Sequence, residues 1–301
     1  MNPAALPIGR QLAIEAPAKI NLFLAVQGRR ADGYHDIESL MQKLALADQL
    51  LLTAVRQGIR LRCPDSDLPT DDGNLAFRAA RVFFEKTGLA AGVDIVLKKT
   101  IPTAAGLGGG SSDAAAVLRG LNELYGTGLA AAELHALAGP LGADVPFFVM
   151  ESAAAWATGI GDCLTPAPAL DDCLVLLVNP GFPVSTKWAY ESFALTRGGN
   201  PYILARGRAT GNIPSVRKSL LPVELSNDLE EVTIQRFPLL GEIKQELLHS
   251  GADGVLMSGS GPTVFGLFCG IKQGAGDRAQ RTYNMLAGKY REKVFLTTAR
   301  R

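Results

Sequence analysis

The sequence predicts a mixed α/β protein of two domains, and three observations carry that reading. The chain has 301 residues, which at about 150 residues per domain is length for two. Short alternating or continuous apolar runs with strand character interleave with longer segments of helical period in both halves. Its composition, 47% hydrophobic and 20% charged, is that of a chain able to bury a sizeable core. Disorder would combine low hydrophobicity with high net charge, whereas 30 Lys and Arg here face 29 Asp and Glu for a net charge of +1. The same balance excludes a nucleic-acid binder driven by bulk phosphate neutralisation. Glycine is in excess, 33 of 301 residues against a usual share of about 7%, with no collagen period.

Taken in order, residues 12–26 alternate and then run apolar (Ile14, Ile20, Leu22, Leu24, Val26) up to Gly28, a strand leading into a turn. Residues 40–53 and 59–63 read as further strands, and the Pro- and Asp-rich stretch 64–73 as a loop. Asn74 is placed to cap a helix running to about Thr87, with Leu75, Phe77, Ala79, Val82 and Phe83 as its apolar positions and Gly88 as its stop. A strand over 93–98 follows. The glycine-rich loop 102–110 then leads to a helix opened by Ser111 and Ser112, with Ala115, Leu118, Leu121 and Tyr125 as its apolar face. A third helix is expected over 130–141, then strands over 147–149 and 153–158, and a linker over 164–172 carrying Pro166 and Pro168. The second half offers a buried strand at 174–178 and a long loop over 198–222. A helix at 239–250, strands at 254–257 and 263–268, and a last helix at 273–290 complete it. The domains divide as 1–165 and 166–301.

Cys63, Cys163, Cys173 and Cys269 show neither a CxxC pair nor metal-ligand spacing, so four buried free thiols in a reducing compartment are expected. The N-terminal segment carries only Arg10 before its first modest apolar stretch and is broken by Pro3, Pro7 and Pro17, which is no secretory signal. The longest fully apolar-looking run, 173–178, is far short of the roughly 20 residues of a membrane span. A cytoplasmic protein with no membrane and no nucleic-acid partner is expected, as a monomer or homodimer.

The chemistry concentrates in Ile101-Pro-Thr-Ala-Ala-Gly-Leu-Gly-Gly-Gly-Ser-Ser-Asp-Ala-Ala-Ala116. Glycines at 106, 108, 109 and 110, then two hydroxyls and a helix, let backbone N–H groups converge on an anion at a helix N-terminus. Phosphate is the natural ligand. No Gly-Lys-Ser/Thr follows, so it is not a Walker A loop, and Ser111 stands where a dinucleotide fingerprint needs glycine. Lys19 and Asn21, two apart on a strand, share one face as a polar pocket wall, with Ile20 and Leu22 on the other. Asp144 stands at a turn just before Pro146, where capping that turn is the ordinary use of an aspartate.

Together these segments resemble the GHMP small-molecule kinases. The resemblance rests on Pro-Ala-Lys-Ile-Asn-Leu at 17–22, Ala-Asp-Gly-Tyr-His at 31–35, Gly-Leu-Gly-Gly-Gly-Ser-Ser-Asp-Ala-Ala at 106–115, Leu-Gly-Ala-Asp-Val-Pro-Phe-Phe at 141–148, Gly-Ile-Gly-Asp at 159–162 and Ser-Gly-Ser-Gly-Pro-Thr-Val-Phe at 258–265. The second and fourth of these single out the branch acting on 4-(cytidine 5′-diphospho)-2-C-methyl-D-erythritol. The resemblance implies an α+β, two-domain GHMP kinase fold, with a ribosomal protein S5 domain 2-like N-terminal half, a ferredoxin-like C-terminal half and the active site in the cleft.

The implied reaction transfers the γ-phosphoryl group of ATP, with Mg²⁺, to the 2-hydroxyl of that acceptor. Asp144 would accept the hydroxyl proton. Lys19, close to carboxylate and acceptor oxygen, would keep Asp144 ionised and stabilise developing charge. Pro102, Gly106, Leu107, Gly108, Gly109, Gly110, Ser111 and Ser112 would wrap the triphosphate. No carboxylate ligand for Mg²⁺ is identified; Ser112 and the phosphates would suffice. Asn21 would bind the methylerythritol, His35 the cytosine edge, Tyr34 its face, and Tyr190 would supply a second stacking ring. Ala104 and Ala105 stand where the family often has glycine, which alanine can replace if φ stays negative. Two other readings stay open: a homoserine or mevalonate kinase of the same family, and a non-catalytic nucleotide-binding sensor on the same fold.

Overall fold

The structure is a computed structural model that describes residues 6–64, 66–196 and 224–301. The chain divides into two compact units with interleaved segments: Met1–Ala18, Ala47–Ile101 and Gly108–Glu151 form the first, and Lys19–Leu46, Pro102–Leu107 and Ser152–Arg301 the second. Two long strands, β1 (Gln11–Arg29) and β2 (His35–Val55), contribute to both.

In the first unit, β3 (Gly58–Arg62) pairs in parallel with β4 (Gly92–Lys98). β4 in turn pairs antiparallel with the last third of β2, from Gln49 opposite Lys98 to Val55 opposite Gly92. Helix α1 (Leu75–Thr87) starts and stops where local chemistry dictates. The Asn74 side chain accepts from the Ala76 N–H, and Gly88, left-handed at φ 63°, donates its N–H to Phe84 O. Helix α2 (Gly109–Tyr125) is buried along most of its length; Ala114, Ala115 and Ala116 are fully inaccessible. Small residues let it lie close to its neighbours. A Cβ at Gly120 would come within 2.4 Å of Leu52 Cδ1, so a larger side chain there would push α2 off β2. Two shorter helices follow, α3 (Ala131–Ala138) and α4 (Val145–Val149). The strand expected over 147–149 is therefore helix: Pro146 sits in the first turn of α4, where its fixed φ and missing N–H are tolerated. Helix α2 also opens two residues before Ser111, with Gly108 as its left-handed N-cap.

The second unit contains β5 (Ala154–Thr158), β6 (Cys163–Ala167), β7 (Cys173–Val178), α5 (Thr186–Thr196), the two-residue β8 (Ser226–Asn227), α6 (Glu230–Arg236) and α7 (Leu239–His249). β9 (Gly254–Met257), β10 (Val264–Cys269), α8 (Ala275–Tyr290) and β11 (Val294–Thr298) complete it. β5 pairs with the start of β2, and β6 with β5, so residues 164–167 of the expected linker over 164–172 are strand. β8 pairs in parallel with β1 at Phe23 and Leu24. The four strands β11-β7-β10-β9 form an antiparallel sheet in that order. This is the β-α-β-β-α-β arrangement of a ferredoxin-like fold. Its core gathers Leu176, Val178, Ile243, Leu247, Phe268 and Leu286. Helices α5 and α6 and strand β11 were not foreseen in the sequence, and the expected loop 198–222 lies outside the described residues.

The cysteines require a correction. Cys173 and Cys269 are direct cross-strand partners on β7 and β10 and form a disulfide across 96 residues of sequence. Cys63 is a buried free thiol, as expected, but Cys163 is exposed. Strand pairing brought the two sulfurs together, which no spacing rule registers.

Candidate active site

The lysine on β1 sits in a built polar site. Lys19 is 4% exposed and its ammonium donates to Asn21 Oδ1 at 2.6 Å. Asn21 is oriented from behind: its Nδ2 donates to Ser39 Oγ (2.8 Å), and Ser39 Oγ donates to Phe23 O (2.7 Å). The pair thus shares one face, as expected, while Ile20 and Leu22 are buried on the other. The loop 102–107 of the same unit is tied to this strand, since the Lys19 N–H donates to Leu107 O at 2.9 Å. Gly106 holds a left-handed φ of 76°, and a Cβ there would meet Ser258 O at 2.2 Å. Only glycine fits that approach. Ala104, two residues earlier, is itself left-handed at φ 51°. The expectation of negative φ at both alanines is thereby overturned at Ala104: the turn requires what its residue type resists.

Within the first unit, Gly108 to Ser112 form the N-terminal end of α2, where the helix dipole and free N–H groups favour an anion. Ser112 Oγ is buried and has no hydrogen-bond partner. An orphaned hydroxyl at a positive helix end fits a phosphate oxygen or a phosphate-bound cation. Among the described residues no group of three or more His, Cys, Asp or Glu could hold a metal. Residues Gly109 and Gly110 lie in the first turn of α2, and Pro102 begins the loop segment. A Cβ at Gly142 would lie 3.9 Å from Ser111 Oγ, so the segment leading to Asp144 runs beside this end of α2. Asp144, half-buried, precedes α4 but its side chain makes no capping bond.

The first unit also holds a cluster that the sequence did not reveal. Lys99 donates to Asp48 (2.5 Å) and to Asp113 (2.7 Å), and Asp48 also accepts the N–H groups of Thr100 and Ile101. Burial pushes Asp113 up to about 7, against the pull of Lys99 and with the added repulsion of Asp48. Burial would lower Lys99, but the two carboxylates outweigh it and hold the ammonium above its ordinary range. A Cβ at Gly109 would be 3.3 Å from Lys99 Nζ, so this ion cluster supports the first turn of α2 directly.

Farther along the second unit, His35 and Tyr190 stack, with ring centroids 5.2 Å apart and planes inclined by 24°. His35 Nε2 is buried without a hydrogen-bond partner. Burial, aided by Arg29, lowers the His35 pKa below 6.5 and favours neutral imidazole. Tyr190, expected as a second stacking ring, thus lies against His35. Tyr34 is 60% exposed and makes no ring contact among the described residues.

Comparison with known proteins shows which family carries these segments. The profile of the GHMP kinases N terminal domain matches residues 74–152, and that of the GHMP kinases C terminal domain residues 211–287. The chain belongs to the GHMP kinase family, and this membership implies ATP as phosphoryl donor. Within the family it is similar to proteins named 4-diphosphocytidyl-2-C-methyl-D-erythritol kinase. One from Syntrophotalea carbinolica is 50% identical over 84% of this chain and 88% of its own. Another from Desulfotalea psychrophila is 46% identical over 97% and 96%. A crystal structure of 4-(cytidine 5′-diphospho)-2C-methyl-D-erythritol kinase superposes with a TM-score of 0.75 at 36% identity, covering 96% of this chain and 99% of that one. A homoserine kinase from Cytophaga hutchinsonii, at 19% identity and TM-score 0.66, shares the fold. No described helix is long and apolar enough to cross a membrane.

Proposed function

We propose that the chain uses ATP to phosphorylate the 2-hydroxyl of 4-(cytidine 5′-diphospho)-2-C-methyl-D-erythritol, a step of the non-mevalonate (MEP) route to isoprenoid precursors. The observation that carries the choice of acceptor is the His35–Tyr190 stack with its buried, unpartnered Nε2. A base edge would satisfy that nitrogen and a ring face would extend the stack. Mevalonate and homoserine offer neither. Identities of 46–50% to kinases named for the cytidine compound support the same choice, and the homoserine, mevalonate and sensor readings are not favoured.

In this reading Asp144 accepts the proton of the acceptor hydroxyl as its oxygen bonds to the γ-phosphorus and the bond to ADP breaks. Lys19 stabilises the charge that develops there, and Asn21 orients both the ammonium and the methylerythritol. The amides of Gly106 to Gly110 and the hydroxyls of Ser111 and Ser112 bind the phosphates, with Pro102 and Leu107 shaping the loop. Mg²⁺, held by the phosphates and Ser112 Oγ, would supply charge neutralisation. Tyr34 would close over the cytosine. We assign the loop and catalytic pair to an N-terminal domain of residues 1–165 and the ferredoxin-like part to 166–301, in a cytoplasmic monomer or homodimer that binds no nucleic acid.

The test offers purified protein Mg·ATP with the cytidine compound, mevalonate and homoserine in turn, following ADP release. Turnover of the first alone is expected, and turnover of either other acceptor in its place refutes the assignment. Asp144→Ala should lower kcat by about 10²–10⁴; wild-type turnover would remove Asp144 from its role.

A further inference from the structure

The turn Ser258-Gly259-Ser260-Gly261 joins β9 to β10 and touches both parts of the second unit's polar site. Ser258 Oγ donates to Gly106 O at 3.0 Å, and the Ser258 N–H donates to Thr263 O. Gly259 is left-handed at φ 57°; a Cβ there would lie 3.3 Å from Gly106 O, 3.4 Å from Asn21 Oδ1 and 3.5 Å from Lys19 Nζ. The backbone of this turn therefore runs beside Lys19 and Asn21, separated from them by about the room of one side-chain carbon. Two glycines in four residues give such a turn little stiffness of its own.

The stiffness comes from Asn227. This residue, 7% exposed, donates from Nδ2 to Met257 O (2.8 Å) and to Gly259 O (2.7 Å), the carbonyls on either side of Ser258. Its Oδ1 accepts the Leu229 N–H at 3.0 Å. Both amide hydrogens are thus committed to the turn. Asn227 also belongs to β8, which pairs with β1 at Phe23 and Leu24, a few residues beyond Lys19 and Asn21. One side chain connects the strand that carries the lysine to the turn beside it.

We infer that Asn227 is a positioning residue for phosphoryl transfer, clamping the backbone at 257–259 so that Gly259 seats the Lys19–Asn21 pair. The inference rests on the reading of Lys19 as the catalytic cation. Asparagine is the residue type this job requires. Aspartate would keep the acceptor for Leu229 but set carboxylate oxygens against two carbonyls, separating the clamp from the cap.

The experiment compares wild type, Lys19→Met, Asn227→Asp, Gly259→Ala and the double variant Asn227→Asp/Gly259→Ala, assayed with Mg·ATP and the cytidine compound below the lowest melting temperature. Asn227→Asp and Gly259→Ala should each lower kcat by about tenfold or more, with acceptor KM within about threefold. Because both act on one contact, the double variant should fall no further than about twofold below the weaker single. A folded Asn227→Asp whose kcat stays within about fivefold of wild type overturns the inference, as do losses that multiply in the double variant. A merely structural Asn227 would lower the melting temperature and leave kcat per folded molecule unchanged, which also overturns it. If Asn227→Asp does not fold, Gly259→Ala decides by the same fivefold threshold. Absent turnover in wild type, or near-normal kcat in Lys19→Met, would instead refute the underlying reading. An active wild type with an inactive Lys19→Met and an unimpaired Asn227→Asp refutes this inference alone.

Discussion

Ala104 holds φ 51° on an exposed turn next to the phosphate-type loop. An L-residue there meets its own carbonyl at a cost of about 1–2 kcal/mol, part of which glycine returns as unfolded-state entropy. Ala104→Gly should therefore stabilise the protein by about 0.5–1 kcal/mol, read as a higher urea midpoint with unchanged slope. A lower midpoint would show that the turn is unstrained. The residue type could not reveal this, because φ at 104 is set by what the flanking backbone must reach: Ala105 O accepts the Thr263 N–H. His35 offers a second test at this scale. Its folded pKa lies below the ordinary 6.5 because burial, and then Arg29, disfavour the imidazolium. As pH falls through about 6.5 the unfolded chain takes up a proton that the native protein does not, so stability drops. Melting temperatures of wild type should fall relative to His35→Gln below about pH 6.5 and run parallel above it. Parallel curves throughout would refute the shift.

At the scale of elements, the foot of α2 is held by charge as much as by packing. Lys99 is 8% exposed in its side chain, and Asp48 and Asp113 are 0% and 3% exposed. Removing the cation from such a cluster takes away the pull that lowers Asp113, so Asp113 holds a proton at neutral pH and Asp48 is left as a buried carboxylate without its cation. Lys99→Met should cost about 3–5 kcal/mol of unfolding free energy at neutral pH, measured by chemical denaturation. A loss under 1 kcal/mol would mean that water reaches the site. Which elements were legible follows the same local logic. Helix α1 was readable to the residue because Asn74 and Gly88 signal its ends in sequence. The start of α2 was not, since Gly109 and Gly110 are poor helix formers held in the first turn by tertiary contacts. β6 was taken for linker on the strength of Pro166, yet among the described residues it pairs with β5 alone, and an edge is where a strand tolerates proline. Asp48, Lys99 and Asp113 could not have been grouped, because 51 residues separate the first pair.

Across the whole molecule, the sequence disclosed what lies in contiguous motifs and concealed what long-range pairing assembles. Lys19, Asn21, the glycines and Asp144 stand in recognisable strings, whereas Ser39 and Asn227 reach their partners only through β2 and β8. The cysteines are the plainest case. Cys173 and Cys269 are isolated in sequence, but the β7–β10 register sets them opposite each other at the end of the sheet. A disulfide there closes a separation of 96 residues, and in the chain-entropy account a loop of that size restricts the unfolded state by about 4.7 kcal/mol. Two measurements follow. In denaturant without reductant, a thiol reagent should titrate Cys63 and Cys163 only, and all four after reduction. In the native protein Cys163 alone should react quickly, since Cys63 is buried. The double variant Cys173→Ser/Cys269→Ser should melt at lower temperature and keep its kcat, because neither residue is among those assigned to the phosphoryl-transfer site. Four thiols titrating without reductant would show that the sheet register brings the sulfurs together without joining them, and the double variant should then lose only the small packing contribution of two buried side chains.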